Sequence, residues 1–191
     1  MSISVFHGCM MSGKSSKIVK LAHELKNNGE TILVIKHSFD NRFSSIDESE
    51  LLTGKKYIIT HDGRKYLAET YSNLESISDD KLNVQHILID ESQFFPDLLE
   101  FCSKQKSLGK HLYVAGLAKD FARKSFGQID ELISTLQVDH CQQFFAKCEC
   151  GAKAIHSFRK LQKTQLILIG GSELYEPVCD TCYDLKSQKK E

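Results

Sequence analysis

Residues Gly8–Ser15 constrain the fold of this chain more than any other segment. They read Gly-Cys-Met-Met-Ser-Gly-Lys-Ser and match the pattern G-x-x-x-x-G-K-[ST]. The alternating run Ile3–His7 before them predicts a strand, and the run Ser15–Asn28 after them predicts a helix. This context favours a phosphate-binding loop over a chance glycine turn, because the loop must present backbone N–H groups at a helix N-terminus. We therefore predict a nucleoside triphosphate site at Gly8, Cys9, Met10, Met11, Ser12, Gly13, Lys14, Ser15 and Ser16.

Two side chains of this loop carry specific chemistry. Lys14 is expected to reach the β- and γ-phosphates, and the Ser15 hydroxyl is expected to bind Mg²⁺.

Downstream, Thr31–Lys36 is almost continuously apolar, which is typical of a strand buried in a parallel sheet. Strand, helix and strand in succession form a right-handed βαβ unit. The sequence thus predicts an α/β fold.

The second motif is the apolar run His86–Asp90, which is followed directly by Glu91. An aspartate at the end of a buried strand organises Mg²⁺ in phosphate-transfer sites, usually through a water ligand. The next acid can reach a nucleophile near the γ-phosphate. The alternative is that the two acids only cap the following helix. The upstream phosphate loop favours the catalytic interpretation of Asp90 and Glu91.

Four cysteines near the C-terminus form two close pairs, Cys148 with Cys150 and Cys179 with Cys182. Two strand-like runs, Ala152–Phe158 and Gln165–Ile169, lie between them. Paired thiolates that flank a hairpin are typical of a structural Zn²⁺ ribbon, although the C-x-C spacing of the first pair is tighter than usual. Four free thiols are the alternative. We predict two domains, a nucleotide-binding domain at 1–139 and a zinc-binding domain at 140–191.

Composition excludes several function classes. The chain has 191 residues, and its 25 basic residues balance its 25 acidic ones, so no global charge attracts nucleic acid or a membrane. The N-terminus lacks the pattern of a signal peptide, and no apolar run has the length of a bilayer span. Seven cysteines without a secretory signal point to a reducing compartment. We expect a cytoplasmic protein in which Cys9, Cys102 and Cys141 pack as small apolar residues.

The order of these motifs resembles that of the thymidine kinases of the cellular, zinc-containing type, which animals, many bacteria and poxviruses share. The similar segments extend over essentially the whole chain, and together they are far more specific than the phosphate loop alone. They are Gly8–Ser15, Ile35–Arg42, Thr60–Asp62, Asp90–Pro96, Gly116–Gly127 and Ile169–Tyr175.

The resemblance implies a P-loop NTPase fold of the RecA-like type. In that fold a parallel sheet carries helices on both faces, and a small C-terminal zinc-ribbon, or lasso, domain closes over a nucleoside. It also implies transfer of the γ-phosphoryl group of ATP to the 5′-hydroxyl of thymidine, and of deoxyuridine as a second acceptor. The implied cofactors are structural Zn²⁺ and Mg²⁺ with ATP. A homotetramer and feedback inhibition by dTTP are further implications of the family.

Residue roles follow from the same resemblance. Glu91 matches the base that accepts the 5′-hydroxyl proton, and Arg42 matches a group that steadies the γ-phosphoryl. Lys14 adds positive charge there, and Asp90 and Gln93 belong to the ATP site. The lasso loop corresponds to Leu166–Tyr175. The residues expected to wrap the nucleoside are Met10, Asp40, Phe94, Leu117, Phe121, Phe126, Leu166, Leu168, Ile169, Gly170, Gly171 and Tyr175.

Two departures from the family pattern and three rival functions stay open at this level. The departures are the tight Cys148–Cys150 spacing and Ala118, where many relatives have an acid.

One rival is an ATP-hydrolysing protein that acts on nucleic acid, in which Glu91 activates water; zero net charge and the lack of a basic stripe oppose it. Another is a nucleotide sensor without catalysis. The third keeps the enzyme but changes the nucleoside, which aromatic pockets discriminate poorly.

Overall fold

The computed structural model describes residues 1–40, 54–60, 62–161, 165 and 167–188. The strands in chain order are β1 (Ser2–Gly8), β2 (Ile32–His37), β3 (Tyr57–Ile59), β4 (Lys65–Leu67), β5 (Glu69–Tyr71), β6 (His86–Asp90), β7 (His111–Gly116), β8 (His140–Phe144), β9 (Ala146–Lys147), β10 (Lys153–Ala154), β11 (His156–Arg159) and β12 (Tyr175–Val178). The helices are α1 (Lys14–Asn27), α2 (Asp79–Leu82), α3 (Leu98–Ser107), α4 (Ile129–Thr135) and α5 (Asp180–Gln188). Short 3₁₀ turns lie at Leu74–Ser76 and Ser92–Phe94.

Six strands form one sheet in the order β5-β2-β6-β7-β1-β8, and every neighbouring pair runs parallel. Strand β7 lies between β1, which leads into the phosphate loop, and β6, which ends in Asp90. Because parallel strands place their carboxyl ends at one edge, both motifs of the sequence emerge on the same side of the molecule. The predicted α/β fold with a parallel sheet is confirmed.

Alternating side chains of the central strands fill two separate hydrophobic cores. Ile87 and Ile89 of β6 face one side, where they pack with residues of α3 and α4. Leu88 faces the other side and packs with residues of α1 and of the β3–β4 hairpin. These strands are apolar on successive residues because the sheet is covered on both faces. Helices on both faces, as predicted, are confirmed.

Helix α1 follows the sequence signals closely. Gly13 precedes it with φ 92°, and the helix ends at Asn27. Gly29 has φ 81°, and its N–H bonds to the carbonyl of Lys26, so a left-handed residue closes the helix as the Asn-Asn-Gly sequence predicts. Ile18, Val19 and Ala22 are buried toward the sheet, which holds the helix behind the phosphate loop.

The strands of the C-terminal region differ from those predicted from the sequence. Ala152–Phe158 divides into β10 and β11, and the described residues of Gln165–Ile169 form no strand. Instead, β11 pairs antiparallel with β12, where Ser157 lies opposite Pro177. A proline normally argues against a strand, but within the described residues β12 forms a ladder with β11 alone, and a strand with an open edge tolerates a residue that has no N–H donor.

Helix α5 and strand β8 lie at the two ends of the C-terminal region. Helix α5 continues to Gln188, and Lys186 in it pairs with Glu176 and Glu149. The proposed domain boundary at 139/140 stays a prediction. Strand β8, which begins at His140, is hydrogen-bonded along β1 as an edge of the main sheet. Among the described residues, no helix combines the length and apolarity that a membrane crossing needs.

Candidate active site

The phosphate loop adopts a conformation with two left-handed residues, Met11 at φ 60° and Gly13 at φ 92°. Lys14 is buried, and its Nζ donates a hydrogen bond of 2.8 Å to the carbonyl of Cys9 across the loop. Gly8 begins the loop, and a Cβ atom there would lie 2.2 Å from the carbonyl oxygen of Phe144. The loop can therefore pass close to β8 only because residue 8 is glycine.

A cleft opens at the carboxyl edge of the sheet, and most of the predicted site residues line it. They come from the phosphate loop, from the ends of β2, β6 and β7, and from the C-terminal region. They are Met10, Met11, Ser12, Gly13, Lys14, Ser15, Ser16, Asp40, Glu91, Gln93, Phe94, Leu117, Phe121, Phe126, Leu168, Ile169, Gly170 and Tyr175. Residues that are far apart in sequence thus share one cleft.

Some predicted site residues lie outside its lining. Gly8 is half-buried and Cys9 is buried at the start of the loop, where the Cys9 thiol donates to the carbonyl of Ala154 at 3.3 Å. Asp90 is buried at the end of β6, one residue before Glu91 enters the cleft. Gly171 lies next to the lining, and its N–H donates to Glu173 Oε1 at 2.6 Å. The predicted residues Arg42 and Leu166 lie outside the described residues.

Glu91 has an unusual backbone conformation for a non-glycine residue, with φ 52°. This left-handed residue lies between β6 and the 3₁₀ turn, so it directs the chain from the buried strand into the cleft. Gln93, on that turn, is buried and donates from Nε2 to Glu91 Oε2 at 2.6 Å. Gln93 Oε1 accepts the N–H of Leu117 at 2.9 Å. The turn and the end of β7 therefore hold the Glu91 carboxylate together.

The turn after β2 carries Asp40 and Phe39 into the cleft. His37 Nδ1 accepts the N–H of Phe39 at 3.1 Å, so Nε2 carries the proton and faces the carbonyl of Ser72 at 3.2 Å. Burial lowers the pKa of His37, although the Ser72 carbonyl opposes the shift. Lys36 lies below, with its Nζ 3.7 Å from Asp40 Oδ2. A neutral histidine and a buried lysine thus shape this turn.

Aromatic rings form one wall of the cleft. The ring of Phe94 lies 5.8 Å from that of Phe39 and 5.6 Å from that of Phe126, both edge to face. Phe121 contributes a fourth ring, and Tyr175 of the C-terminal region lines the same cleft. Such a wall suits the flat face of a base, and edge-to-face contacts hold its rings in place without a ligand.

The C-terminal region docks directly on the phosphate loop. The N–H of Met10 donates to Ser157 Oγ at 2.9 Å, and Cys9 bonds to Ala154 as described. Ser157 and Arg159 were not predicted as site residues; they alternate along β11 and therefore share one face. The residues that line the cleft but were not predicted as site residues from the sequence are Phe39, Ile59, Thr60, Lys119, Asp120, Ser157, Arg159 and Ile167.

The loop after β7 explains how Ala118 is accommodated. Ala118 is buried and belongs to the main core, and its carbonyl accepts the N–H of Phe126 at 3.0 Å. Asp120, two residues on, accepts the N–H groups of Ala122 and Lys124 at 2.8 and 2.9 Å. The loop is therefore closed by these bonds, and an acid at position 118 is not needed for its turn.

The four paired cysteines form a cluster that fits a zinc ion. Their sulfur atoms all lie within 4.8 Å of one another, and Cys150 Sγ is 3.6 Å from Cys179 Sγ. Four sulfurs around Zn²⁺ lie about 3.8 Å apart, whereas a disulfide needs about 2 Å. A turn with Gly151 at φ 91° brings Cys148 and Cys150 to the same cluster despite the tight spacing.

The electrostatics of Cys148 agree with a metal ligand. Burial raises the pKa of this thiol, but hydrogen bonds from the N–H groups of Cys179 and Cys150, together with those from the thiols of Cys150 and Cys182, outweigh burial and lower the pKa to about 6. The thiolate is the form that binds metals. Cys179 lies directly after β12 and Cys182 lies in α5, so a metal held by them and by the Cys148–Cys150 turn would join the two ends of the C-terminal region.

The phosphate loop also fits ATP with Mg²⁺. The first N–H groups of α1 have no partner within the helix, and Lys14 adds a positive charge beside them. Ser12 Oγ is buried without a hydrogen-bond partner among the described residues. A donor set of this kind suits phosphate oxygens, and the Ser15 hydroxyl with Asp90 suits a hard cation.

Comparison with known proteins adds an independent result. The family model described as thymidine kinase matches residues 1–183. The thymidine kinase of Amsacta moorei entomopoxvirus is 36% identical over 191 residues, covering 96% of this chain and 98% of its own. The thymidine kinase of Yaba monkey tumor virus is 35% identical over 182 residues, covering 95% and 93%. The cytosolic thymidine kinase of Homo sapiens is 33% identical over 186 residues, covering 97% and 74%.

Proposed function

The chain belongs to the thymidine kinase family, and from that premise we propose that it transfers the γ-phosphoryl group of ATP to the 5′-hydroxyl of thymidine. The product is dTMP, and the reaction salvages a nucleoside for DNA synthesis. The proposal rests on one observation, namely that Glu91, Lys14 and the aromatic wall line the same cleft. A donor site and an acceptor site that share one cleft are what direct phosphoryl transfer requires.

The donor half is assigned to the phosphate loop. The N–H groups at the start of α1 bind the phosphates, and Lys14 moves from the Cys9 carbonyl to a phosphate oxygen. Ser15 and Asp90 would hold Mg²⁺, which when bound neutralises charge between the β- and γ-phosphates. Gly8, Cys9, Met10, Met11, Ser12, Gly13, Ser16 and Gln93 complete the proposed ATP site.

The acceptor half is assigned to the aromatic wall and the lasso. Glu91 accepts the proton of the 5′-hydroxyl as the phosphoryl group transfers, so it needs to be ionised and aimed into the cleft. Asp40 orients the sugar beside it, and Arg42 adds positive charge at the γ-phosphoryl. The remaining proposed nucleoside contacts are Met10, Phe94, Leu117, Phe121, Phe126, Leu166, Leu168, Ile169, Gly170, Gly171 and Tyr175.

The C-terminal region is proposed as a zinc-stabilised lasso domain at 140–191 that closes over the nucleoside bound to the domain at 1–139. Cys148, Cys150, Cys179 and Cys182 would hold Zn²⁺, which supplies folding energy to a region with a small core of its own. We also propose a cytoplasmic homotetramer that dTTP inhibits by occupying both halves of the cleft. Family membership supports these features.

The decisive experiment is a phosphoryl-transfer assay with ATP, Mg²⁺ and a panel of nucleosides. We expect thymidine to be the best acceptor, with deoxyuridine second and deoxycytidine and deoxyadenosine far weaker. ATP hydrolysis that DNA stimulates, without any phosphorylated nucleoside, would instead support a nucleic-acid-dependent ATPase. Preference for a different nucleoside would retain the kinase and correct its substrate.

A further inference from the structure

Arg159 is a buried charged residue at the end of β11, and it belongs to none of the motifs that identify the family. It pairs in register with Tyr175 on β12, so the two side chains lie on the same face of the two-stranded sheet. Both side chains line the cleft. Because a buried guanidinium is costly without partners, its contacts indicate what it does.

The hydrogen bonds of Arg159 extend to Tyr175, at the end of the lasso loop, and to Gln165, directly before it. Its Nη2 donates to the Tyr175 hydroxyl at 3.0 Å, and that hydroxyl donates to the carbonyl of Leu168 at 2.7 Å. Its Nη1 donates to the carbonyl of Gln165. Arg159 thereby attaches the Gln165 carbonyl directly, and the Leu168 carbonyl through Tyr175, to the β11–β12 pair.

The same guanidinium also contacts the aromatic wall. Its Cζ atom lies 3.6 Å from the centroid of the Phe121 ring, which is a stacked cation–π geometry. Phe121 belongs to the loop after β7, and Tyr183 Oη donates to its carbonyl at 2.7 Å. Arg159 therefore joins three segments that are separate in sequence: the loop after β7, the lasso and the strand that docks on the phosphate loop.

We propose that Arg159 is a positioning residue for the nucleoside, which fixes the Phe121 ring and the lasso main chain in their binding positions. This inference rests on the proposed function, because it takes these groups as the nucleoside site. A planar fork can stack on Phe121 while it donates to two oxygens, whereas a lysine ammonium keeps the charge and cannot do both. The arginine thus organises the acceptor half and leaves the donor half unchanged.

The variant Arg159→Lys tests this role against the matched control Arg64→Lys, an exposed arginine outside the cleft. For R159K we expect the KM for thymidine to rise about tenfold or more, with the KM for ATP within about twofold of wild type. Amide hydrogen exchange should accelerate in residues 167–175 and stay unchanged in α1. The control should match wild type in both measurements.

Each outcome is decisive. An unchanged thymidine KM with unchanged exchange in 167–175 would overturn the positioning role. A parallel rise of both KM values, with lost zinc or general unfolding, would show that Arg159 serves only stability. The wild-type arm tests the proposed function separately: without thymidine phosphorylation that function fails, while the exchange comparison still reports whether Arg159 holds the lasso.

Discussion

The carboxamide of Gln93 holds the carboxylate of Glu91, with Nε2 donating to Oε2 at 2.6 Å. The Leu117 N–H fixes the orientation of that amide, because it must donate to Oε1. Neighbouring glycines leave the necessary room: a Cβ atom at Gly116 would lie 2.6 Å from Gln93 Oε1, and one at Gly127 would lie 2.3 Å from the Gln93 carbonyl oxygen. The proposed base therefore has a fixed direction before any substrate binds.

Replacing Gln93 tests this support. Gln93→Met keeps the length of the side chain but removes the donor to Glu91, so we expect kcat to fall by about ten- to a hundredfold. Because Gln93 also belongs to the proposed ATP site, ATP affinity is measured alongside by calorimetry, and we expect it to fall less than kcat. Gln143→Met, on the exposed side of β8, is the control and should keep full activity. A loss of ATP affinity with an unchanged kcat would show that Gln93 serves the nucleotide and does not support Glu91.

Glu91 itself is tested by Glu91→Gln. The amide is nearly isosteric and cannot accept the 5′-hydroxyl proton, so we expect kcat to fall by about a hundredfold or more, within the usual range for a lost general base. ATP should still bind, since the phosphate loop is intact. Steady-state kinetics with calorimetric ATP titration separate the two effects. Near-normal thymidine phosphorylation by this variant would remove Glu91 as the base.

The cysteine cluster predicts a metal requirement for the C-terminal region. Cys179→Ser should lower bound zinc from about one ion per chain to a small fraction, because three thiolates leave the tetrahedral site open. We expect protease sensitivity to increase in the segment after β8. Cys141→Ser, which changes an exposed cysteine of β8 outside the cluster, should retain zinc and serves as the control. Equal metal content in both variants would rule out the four-cysteine site.

Stability should depend on pH through His111, which lies at the opposite edge of the sheet from the cleft. Burial lowers its pKa from the ordinary value of 6.5, and the N-terminal ammonium and His86, whose ring is stacked 5.0 Å away, lower it further. Glu30 and Asp139 act in the opposite direction. Below pH 6.5 the unfolded chain binds more protons at this residue, so the free energy of unfolding falls as pH decreases.

Urea unfolding between about pH 7 and pH 5 measures this dependence. His111→Asn removes the titration and keeps a polar partner for Ser2, whose hydroxyl lies 2.8 Å from His111 Nδ1. We expect a shallower loss of stability for this variant than for wild type. His23→Asn, an exposed position on α1, should retain the wild-type slope. A slope that His111→Asn leaves unchanged would assign the pH dependence to other groups.

Local sequence was sufficient to predict a phosphate-loop motif between a strand and a helix. Gly8–Ser15 needs only a strand before it and a helix after it, and the described helix begins at Lys14 as the motif requires. Asp90 and Glu91 were likewise found at the end of a buried strand. These features depend on contacts between neighbours in the chain, so their residue types and spacing carry the information.

Long-range packing decided the rest. The assignment of β12 depended on its pairing with β11, which outweighed the signal of Pro177. Arg159 and Ser157 acquired their roles from partners that lie on other elements, such as Phe121 and Met10. The motifs of this chain therefore determined which chemistry it carries. Only the tertiary structure decided which side chains hold that chemistry in place, because hydrogen bonds and ring contacts between distant segments leave no regular spacing in the sequence.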